Sequence, residues 1–234
     1  MLCLSACLLL VASSGCSVAS SGMNAEGTRY FQQGNPAAAI RRFEKAVVTN
    51  PRDPDSYYNL ATSFHQLAKA GADASYWDQA ENYYVQSLDK DPTHEEAYRG
   101  LAVLLVEQNR TEQALRLLEG WRDRQPFAAS PKIELARLNE ELGNVGAAEE
   151  QLLSALAIDA TNPRARTALG KIREDQGDVQ QALSDYSVAL ARNPRQPHLQ
   201  ARVAALATTV AGPPPLAPTG VPRMVTAPQS LIRY

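Results

Sequence analysis

Apolar side chains recur along most of this chain with the spacing of one face of an α-helix. Within residues 95–126, Tyr98, Leu101 and Leu105 lie at positions i, i+3 and i+7 of one such face. A second stripe with helical spacing follows a short polar stretch, and Pro126 comes after its end. Since proline lacks the N–H that a helix interior needs, this stretch predicts two short helices joined by a turn.

The same pattern returns in both directions at a period of about 34 residues, with large and small apolar positions that let paired helices pack closely. The five copies place these positions at Met23, Gly27, Tyr30, Ala39, Phe43 and Ala46; at Tyr57, Leu60, Ala61, Phe64, Ala80, Tyr84 and Ser87; at Tyr98, Leu101, Ala102, Leu105, Ala114, Leu118 and Trp121; at Leu135, Ala136, Gly143, Ala148, Leu152 and Ala155; and at Leu169, Gly170, Gly177, Ala182, Tyr186 and Ala189.

Over residues 23–210 this pattern resembles the tetratricopeptide repeat (TPR) family. The resemblance implies an all-α fold, a right-handed superhelical solenoid of about five TPR helix pairs. Residues 198–210 resemble a first helix without its partner and are expected to form a C-terminal capping helix. No single repeat buries its own apolar face, so stacking of neighbours supplies the core.

Several helix starts and one insertion can be read from the sequence. Thr93 with Glu96 fits a capping box, and the second repeat carries about seven extra residues around Lys69–Tyr76. We expect the insertion to form a longer solvent loop, with a contact loop for a partner as the alternative. Pairs of an N-cap residue and a first-turn proline occur at Asn35–Pro36, Asp53–Pro54, Ser130–Pro131 and Asn162–Pro163.

The first fifteen residues carry no charged side chain and end in small residues. Their apolar run from Met1 to Ala12 is too short to span a membrane and is typical of a secretory signal. Ser14-Gly15-Cys16 follows and resembles the lipobox of bacterial lipoproteins, in which the cysteine is acylated and becomes the mature N-terminus. Ser13 stands where Leu is usual, and no Lys or Arg occurs at the extreme N-terminus. Cleavage by an ordinary signal peptidase and a retained apolar N-terminus are the alternatives.

The resulting domain division is a lipoprotein-type signal peptide at 1–15, a flexible tether at 16–22, the solenoid at 23–210 and a Pro-rich tail at 211–234. Lipidation at Cys16 would anchor the chain to a membrane. In the lipoproteins it resembles, Asp after the cysteine favours inner-membrane retention; here that residue is Ser17, which favours the outer membrane, facing the periplasm. The tail is expected to be a disordered linker, although its last four residues, 231–234, could dock on a partner or on the solenoid.

Composition excludes several classes of function. The net charge of −2 gives no electrostatic reason to expect nucleic acid as a partner. All three cysteines lie within the first sixteen residues, so the repeats contain neither a disulfide nor a thiolate. His94-Glu95 opens like a zinc-protease motif, but Tyr98 replaces the second histidine, so we expect no metal site and a surface histidine at position 94. No phosphate loop or nucleophile elbow occurs, and we expect neither a cofactor nor an enzyme.

The resemblance places a partner-binding groove on the first helix of each repeat. We expect it to hold a segment of another protein or peptide. The expected groove residues are Tyr58, Asn59, Thr62, His65, Arg99, Arg137, Arg164 and Lys171. The four basic residues favour an acidic or carboxylate-bearing segment. Of the clamp by which chaperone-binding relatives hold a terminal carboxylate, only Asn59 has a counterpart. The alternative is a solvated groove whose charges pair with Glu140 and Glu174.

These observations predict a membrane-anchored scaffold on the envelope side of a bacterium, such as one that assembles an envelope, pilus or secretion complex. A soluble intracellular TPR adaptor without a lipid anchor is the alternative.

Overall fold

The computed structural model describes the backbone of residues 3–211 and the side chains of residues 17–210. Eleven α-helices and no strand occur in that part of the chain. They are α1 (Cys3–Gln32), α2 (Pro36–Thr49), α3 (Pro54–Lys69), α4 (Ser75–Lys90), α5 (Glu95–Glu107), α6 (Thr111–Arg124), α7 (Ser130–Glu141), α8 (Val145–Ile158), α9 (Pro163–Asp175), α10 (Val179–Arg192) and α11 (Pro197–Ala211). The side chain of Cys16 and the expected tail after Ala211 lie outside the described residues.

Successive helices pack as five pairs, α1 with α2 through α9 with α10, and α11 packs on α10. The first helices of the pairs, α1, α3, α5, α7 and α9, also contact one another in turn. They therefore form one continuous surface, which we call the inner wall. The all-α solenoid of five pairs with a terminal helix is confirmed.

The close approach of neighbouring helices depends on large aromatic rings that pack directly against glycine residues. A Cβ atom added at Gly100 would lie 2.5 Å from the ring of Tyr84, and one at Gly170 would lie 2.7 Å from the ring of Tyr186. Both rings are buried, so they have no free space into which to move. Glycine at these two positions therefore sets the distance between the helices.

Polar and charged residues inside the fourth and fifth repeats are held by specific partners. Asp185 on α10 is 1% exposed and accepts hydrogen bonds from Arg166 and Arg173 of α9, each 2.6 Å long. Lys132 donates to the carbonyl of Pro126 over 2.8 Å. These contacts satisfy the buried polar groups of the fourth and fifth repeats.

Three of the four predicted N-cap positions, Asn35, Asp53 and Asn162, are confirmed and one, Ser130, is wrong. The side chain of Asn35 accepts from the N–H of Ala38, and Asn162 caps α9 in the same way. Ser130 is the first residue of α7 and does not cap it; its hydroxyl donates instead to Glu95 on α5. Asp53 occupies the N-cap position of α3 without a side-chain cap bond.

The predicted capping box at the start of α5 is also wrong. The cap is His94, whose Nδ1 accepts from the N–H of Ala97 over 3.2 Å. Thr93 donates its hydroxyl to Asp91 over 2.6 Å and so belongs to the preceding turn. His94 is buried, not the surface residue that the sequence predicted, and its ring packs against Tyr58 with centroids 5.2 Å apart.

The extra residues of the second repeat do not form a long loop. Helices α3 and α4 each contain 16 residues, and only residues 70–74 separate them. Most of the insertion therefore lengthens this helix pair. Gly71 makes the turn with a φ of +72°, a conformation that favours glycine.

The N-terminal segment is helical in the structure. The backbone of residues 16–22, expected as a flexible tether, continues helix α1 into the first repeat. Among the residues described, no helix combines the length and apolar character needed to cross a bilayer.

Candidate functional site

The N-terminal part of the inner wall contains three of the expected groove residues. Tyr58, Asn59 and Thr62 of α3 are half-buried and line a cavity of about 250 Å³ against Thr28 and Phe31 of α1. This part of the wall therefore offers both apolar and hydrogen-bonding contacts to an extended segment.

A larger cavity of about 580 Å³ adjoins it and shares Tyr58 and Asn59. We call it the N-terminal cavity. Its lining includes the carboxylates of Asp53, Asp55 and Glu96 and, within the described residues, no Lys or Arg. The field here favours cationic or neutral groups.

His65, the fourth expected residue on α3, is 7% exposed and serves as a link between helices. Its Nε2 lies 2.7 Å from Glu107 of α5, and its Nδ1 lies 3.3 Å from the hydroxyl of Tyr84. Lys69 donates to the other oxygen of Glu107 over 2.6 Å. Burial acts to raise the pKa of Glu107, but the hydrogen bonds from Lys69 and His65 outweigh it and lower that pKa. His65 therefore offers a partner little free surface.

The middle of the inner wall brings three expected arginines onto one carboxylate. Glu134 of α7 is fully buried. Arg99 of α5 donates to it through Nε over 2.7 Å, Arg137 of α7 through Nε over 3.3 Å, and Arg164 of α9 through Nη2. We call these four residues the arginine cluster. It joins three consecutive repeats, because its arginines come from three successive first helices.

Electrostatics keep the carboxylate of this cluster ionised. Burial alone would raise the pKa of Glu134, but hydrogen bonds from Arg99 and Arg164 and the charges of both outweigh burial, so the pKa lies below its ordinary value. Burial acts to lower the pKa of Arg99, but the hydrogen bond to Glu134 and the negative charges of Glu134, Glu96 and Glu95 together outweigh burial, so that pKa is raised. Glu134 and Arg99 are therefore both charged at neutral pH.

The C-terminal part of the inner wall contains a cavity of about 630 Å³ between α9 and α11, which we call the C-terminal cavity. Arg164 and Lys171 line it together with Ala168 and the buried Leu199. Lys171 is 61% exposed and pairs with Glu140. Of the two acidic partners expected from sequence, Glu140 pairs with a groove cation, while Glu174 accepts from Tyr186 over 3.0 Å and pairs with Arg202.

The sequence did not identify Glu134 or the cavity residues of α11. A carboxylate between Ile133 and Leu135, inside a run of buried positions, was the available signal for Glu134. In the part of the chain that the structure describes, no group of three or more His, Cys, Asp or Glu residues could hold a metal ion.

Comparisons with known proteins agree with this architecture. A family model described as TPR repeat matches residues 27–67, and two described as tetratricopeptide repeat match residues 72–130 and 133–197. Together they cover more than half of the chain. A thermophilic TPR protein from Thermus thermophilus is 27% identical, with a TM-score of 0.60 over 81% of this chain and 99% of its own.

Two further similarities are narrower in what they show. PilF of Pseudomonas aeruginosa is 18% identical with a TM-score of 0.59, over 84% of this chain and 86% of its own, which shows the fold alone. Cellulose synthase operon protein C of Pseudomonas fluorescens (strain SBW25) is 30% identical over 139 residues, which are 56% of this chain but only 11% of that protein. With an inner wall made by successive first helices and family models that match nearly all of the repeats, the chain belongs to the tetratricopeptide repeat family.

Proposed function

We propose that this chain is a lipid-anchored interaction scaffold of a bacterial cell envelope, which holds an extended segment of another protein against its inner wall. The observation that carries the proposal is the inner wall itself. Two cavities, of about 580 and 630 Å³, lie along it on either side of the arginine cluster. TPR proteins bind protein or peptide partners, and volumes of this size suit side chains of a bound segment.

The anchor part of the proposal rests on the N-terminal sequence. The small residues before Cys16 fit acylation, and more than one acyl chain makes anchoring stable. The N-terminal cavity is lined by three residues of α1 that lie within five positions after Cys16, namely Ser17, Ser20 and Ser21. A lipid at Cys16 would therefore hold that end of the groove close to the bilayer surface, where a partner in the same envelope could reach it.

A role in assembling an envelope, pilus or secretion complex is the finer part of this proposal. It follows from the combination of an anchor with a binding groove. The match to cellulose synthase operon protein C involves about a tenth of that protein, so the proposal takes from it a helical repeat and no substrate.

Metabolic labelling with an alkyne fatty acid tests the anchor. We expect the wild-type chain to take up label, the Cys16→Ser variant to lose it, and the Cys7→Ser variant to keep it. Label that persists in Cys16→Ser would show that the anchor is not at this residue. Label that never appears in the wild type would overturn the anchor and favour the intracellular adaptor.

Site-specific photo-crosslinking in cells tests the groove. A photoreactive amino acid replaces Thr62 or Thr167, both on first helices, or Leu153, which is 48% exposed on the second helix α8. We expect a discrete crosslinked partner from the first two positions and none from position 153. Crosslinks from position 153 alone would move the binding surface to the opposite face of the solenoid.

A further inference from the structure

We propose that the arginine cluster and the adjoining C-terminal cavity together recognise one short motif in the partner, an acidic residue a few positions away from a large apolar one. This inference rests on the proposed function and adds the chemistry of the bound segment. Three features of the inner wall carry it: unused arginine donors, a cavity that shares an arginine with the cluster, and opposite charge at the other end of the groove.

The arginines use only part of their hydrogen-bonding capacity. A guanidinium group has five N–H donors. Among the described residues, Arg99 donates only through Nε, and Arg164 uses only Nη2 of its guanidinium group. Arg137 donates through Nε to Glu134 and through Nη1 to Glu141, which leaves Nη2. The remaining donors of all three can therefore bind a further anion.

The arginine side chains are also accessible. Those of Arg99 and Arg137 are 35% exposed and that of Arg164 is 45% exposed, whereas Glu134 beneath them is fully buried. The buried carboxylate fixes the three guanidinium groups from below. It balances one of the three positive charges, and the exposed Glu141 balances a second. A partner carboxylate that meets them forms charge-assisted bonds to donors that are already oriented.

The C-terminal cavity supplies the second half of the motif. Arg164 belongs to the arginine cluster and also lines this cavity, so the two sites adjoin. Ala168 and Leu199 give the cavity apolar walls. The cations Lys171 and Arg202 also line it, paired with the lining carboxylates Glu140 and Glu174, which leaves Arg164 as the cation shared with the cluster. Successive residues of an extended chain are about 3.5 Å apart, so an acidic side chain over the cluster places an apolar one in the cavity within a few positions.

The charge at the N-terminal end of the groove argues against binding of the partner's acidic residue there. The N-terminal cavity presents Asp53, Asp55 and Glu96 and, among the described residues, no Lys or Arg. An acidic motif there would face like charges, which costs affinity. The charge difference along the wall therefore places the acidic part of the partner over Arg99, Arg137 and Arg164 rather than over the N-terminal cavity.

Titration of the full chain with designed peptides, followed by NMR of the arginine Nε–H and Leu199 backbone signals, tests the motif. The probe is a capped peptide, Gly-Ser-Glu-Glu-Ser-Leu-Phe-Gly. One analogue replaces both Glu by Gln, another replaces Leu-Phe by Ser-Ser, and a third carries phosphoserine in place of Glu. The protein variants are Arg164→Gln and, as the matched control, Arg116→Gln, an exposed arginine on the second helix α6.

We expect the probe to bind with shifts at both sites and each of the first two analogues to bind about tenfold more weakly. Arg164→Gln should weaken the probe about tenfold, and Arg116→Gln should leave it unchanged. Equal binding of the Gln analogue, shifts confined to the N-terminal cavity, or no shift at millimolar peptide would each overturn the motif. A phosphoserine peptide that binds more than tenfold tighter would replace the carboxylate with a phosphate and also overturn it. The photo-crosslinking experiment tests the binding groove independently of these peptides. Failure of the motif can therefore be distinguished from failure of the proposed function.

Discussion

Glu134 and Asp185 are both buried carboxylates held by arginines, but they face different parts of the solenoid. Asp185 binds Arg166 and Arg173, which lie on the same helix and are only 25% and 19% exposed. Glu134 gathers three arginines from three helices, each 35% exposed or more. The first cluster fastens one helix pair, while the second spans three repeats and presents donors to the groove.

The difference shows that a buried ion cluster is not by itself a sign of a binding site. What distinguishes the two is how much guanidinium surface remains open and which wall it faces. An arginine whose N–H groups are hydrogen-bonded inside the fold contributes to packing. An arginine whose free N–H groups face the groove can bind a partner. The following variants test this distinction, from the largest expected effect to the smallest.

Asp185→Ala should cause the largest loss of stability. It leaves Arg166 and Arg173 without their partner in a mostly buried place, and removal of one member of a buried ion pair costs about 3–5 kcal/mol. Urea unfolding followed by circular dichroism measures the loss. Glu150→Ala, an exposed carboxylate on α8, is the control and should change the free energy of unfolding by less than about 0.5 kcal/mol. A loss below about 1 kcal/mol for Asp185→Ala would contradict the packing role.

Glu134→Ala should lower the free energy of unfolding by about 2 kcal/mol, a smaller loss than that of Asp185→Ala, because water can reach the freed arginines. The same urea experiment ranks the two variants. If Glu134→Ala proves the more destabilising, the exposure of its arginines does not lower the cost, and the two clusters are alike in their packing role.

Acid should weaken the wild-type fold through Glu134 and Glu107, whose pKa values both lie below the ordinary value of 4.5. For a carboxylate with a lowered pKa in the folded state, the unfolded chain binds protons first as the pH falls. The stabilisation is therefore fully present above about pH 5 and is lost progressively below about pH 4.5.

The Glu134→Gln variant isolates the contribution of the groove cluster to this acid loss. Its free energy of unfolding should fall less steeply than that of the wild type between about pH 5 and about pH 3. Urea titrations at several pH values give both slopes. Parallel slopes would mean that the arginines do not stabilise the ionised form of Glu134 in the folded chain.

Lys171→Gln should have the smallest effect on stability. The ion pair of Lys171 with Glu140 is largely exposed, and such pairs contribute less than about 1 kcal/mol. The hydrogen bond and charge of Glu140 raise the pKa of Lys171, which stays charged at neutral pH. A loss above about 1 kcal/mol in urea unfolding would show that this exposed pair is structural as well.

The repeat pattern predicted the fold because its information is local and recurs. Large and small residues at fixed spacing determine which face of each helix is buried, and the prolines after α2, α4, α6 and α10 end those helices. The errors were local as well. Ser130 and Thr93 are good capping residues in isolation, but Glu95 and Asp91 bind their hydroxyl groups instead. The insertion near residue 70 lengthened two helices because helical packing extends over it.

What the sequence determined by itself was the helix pairs, their register and the wall on which Arg99, Arg137 and Arg164 would lie. The tertiary structure alone decided that these arginines share one carboxylate, that His65 is buried and bonded to Glu107, and that cavities flank the cluster. The physical reason is distance along the chain. Glu134 lies 35 and 30 residues from Arg99 and Arg164, about one repeat away on either side, so their contact exists only after the repeats have stacked.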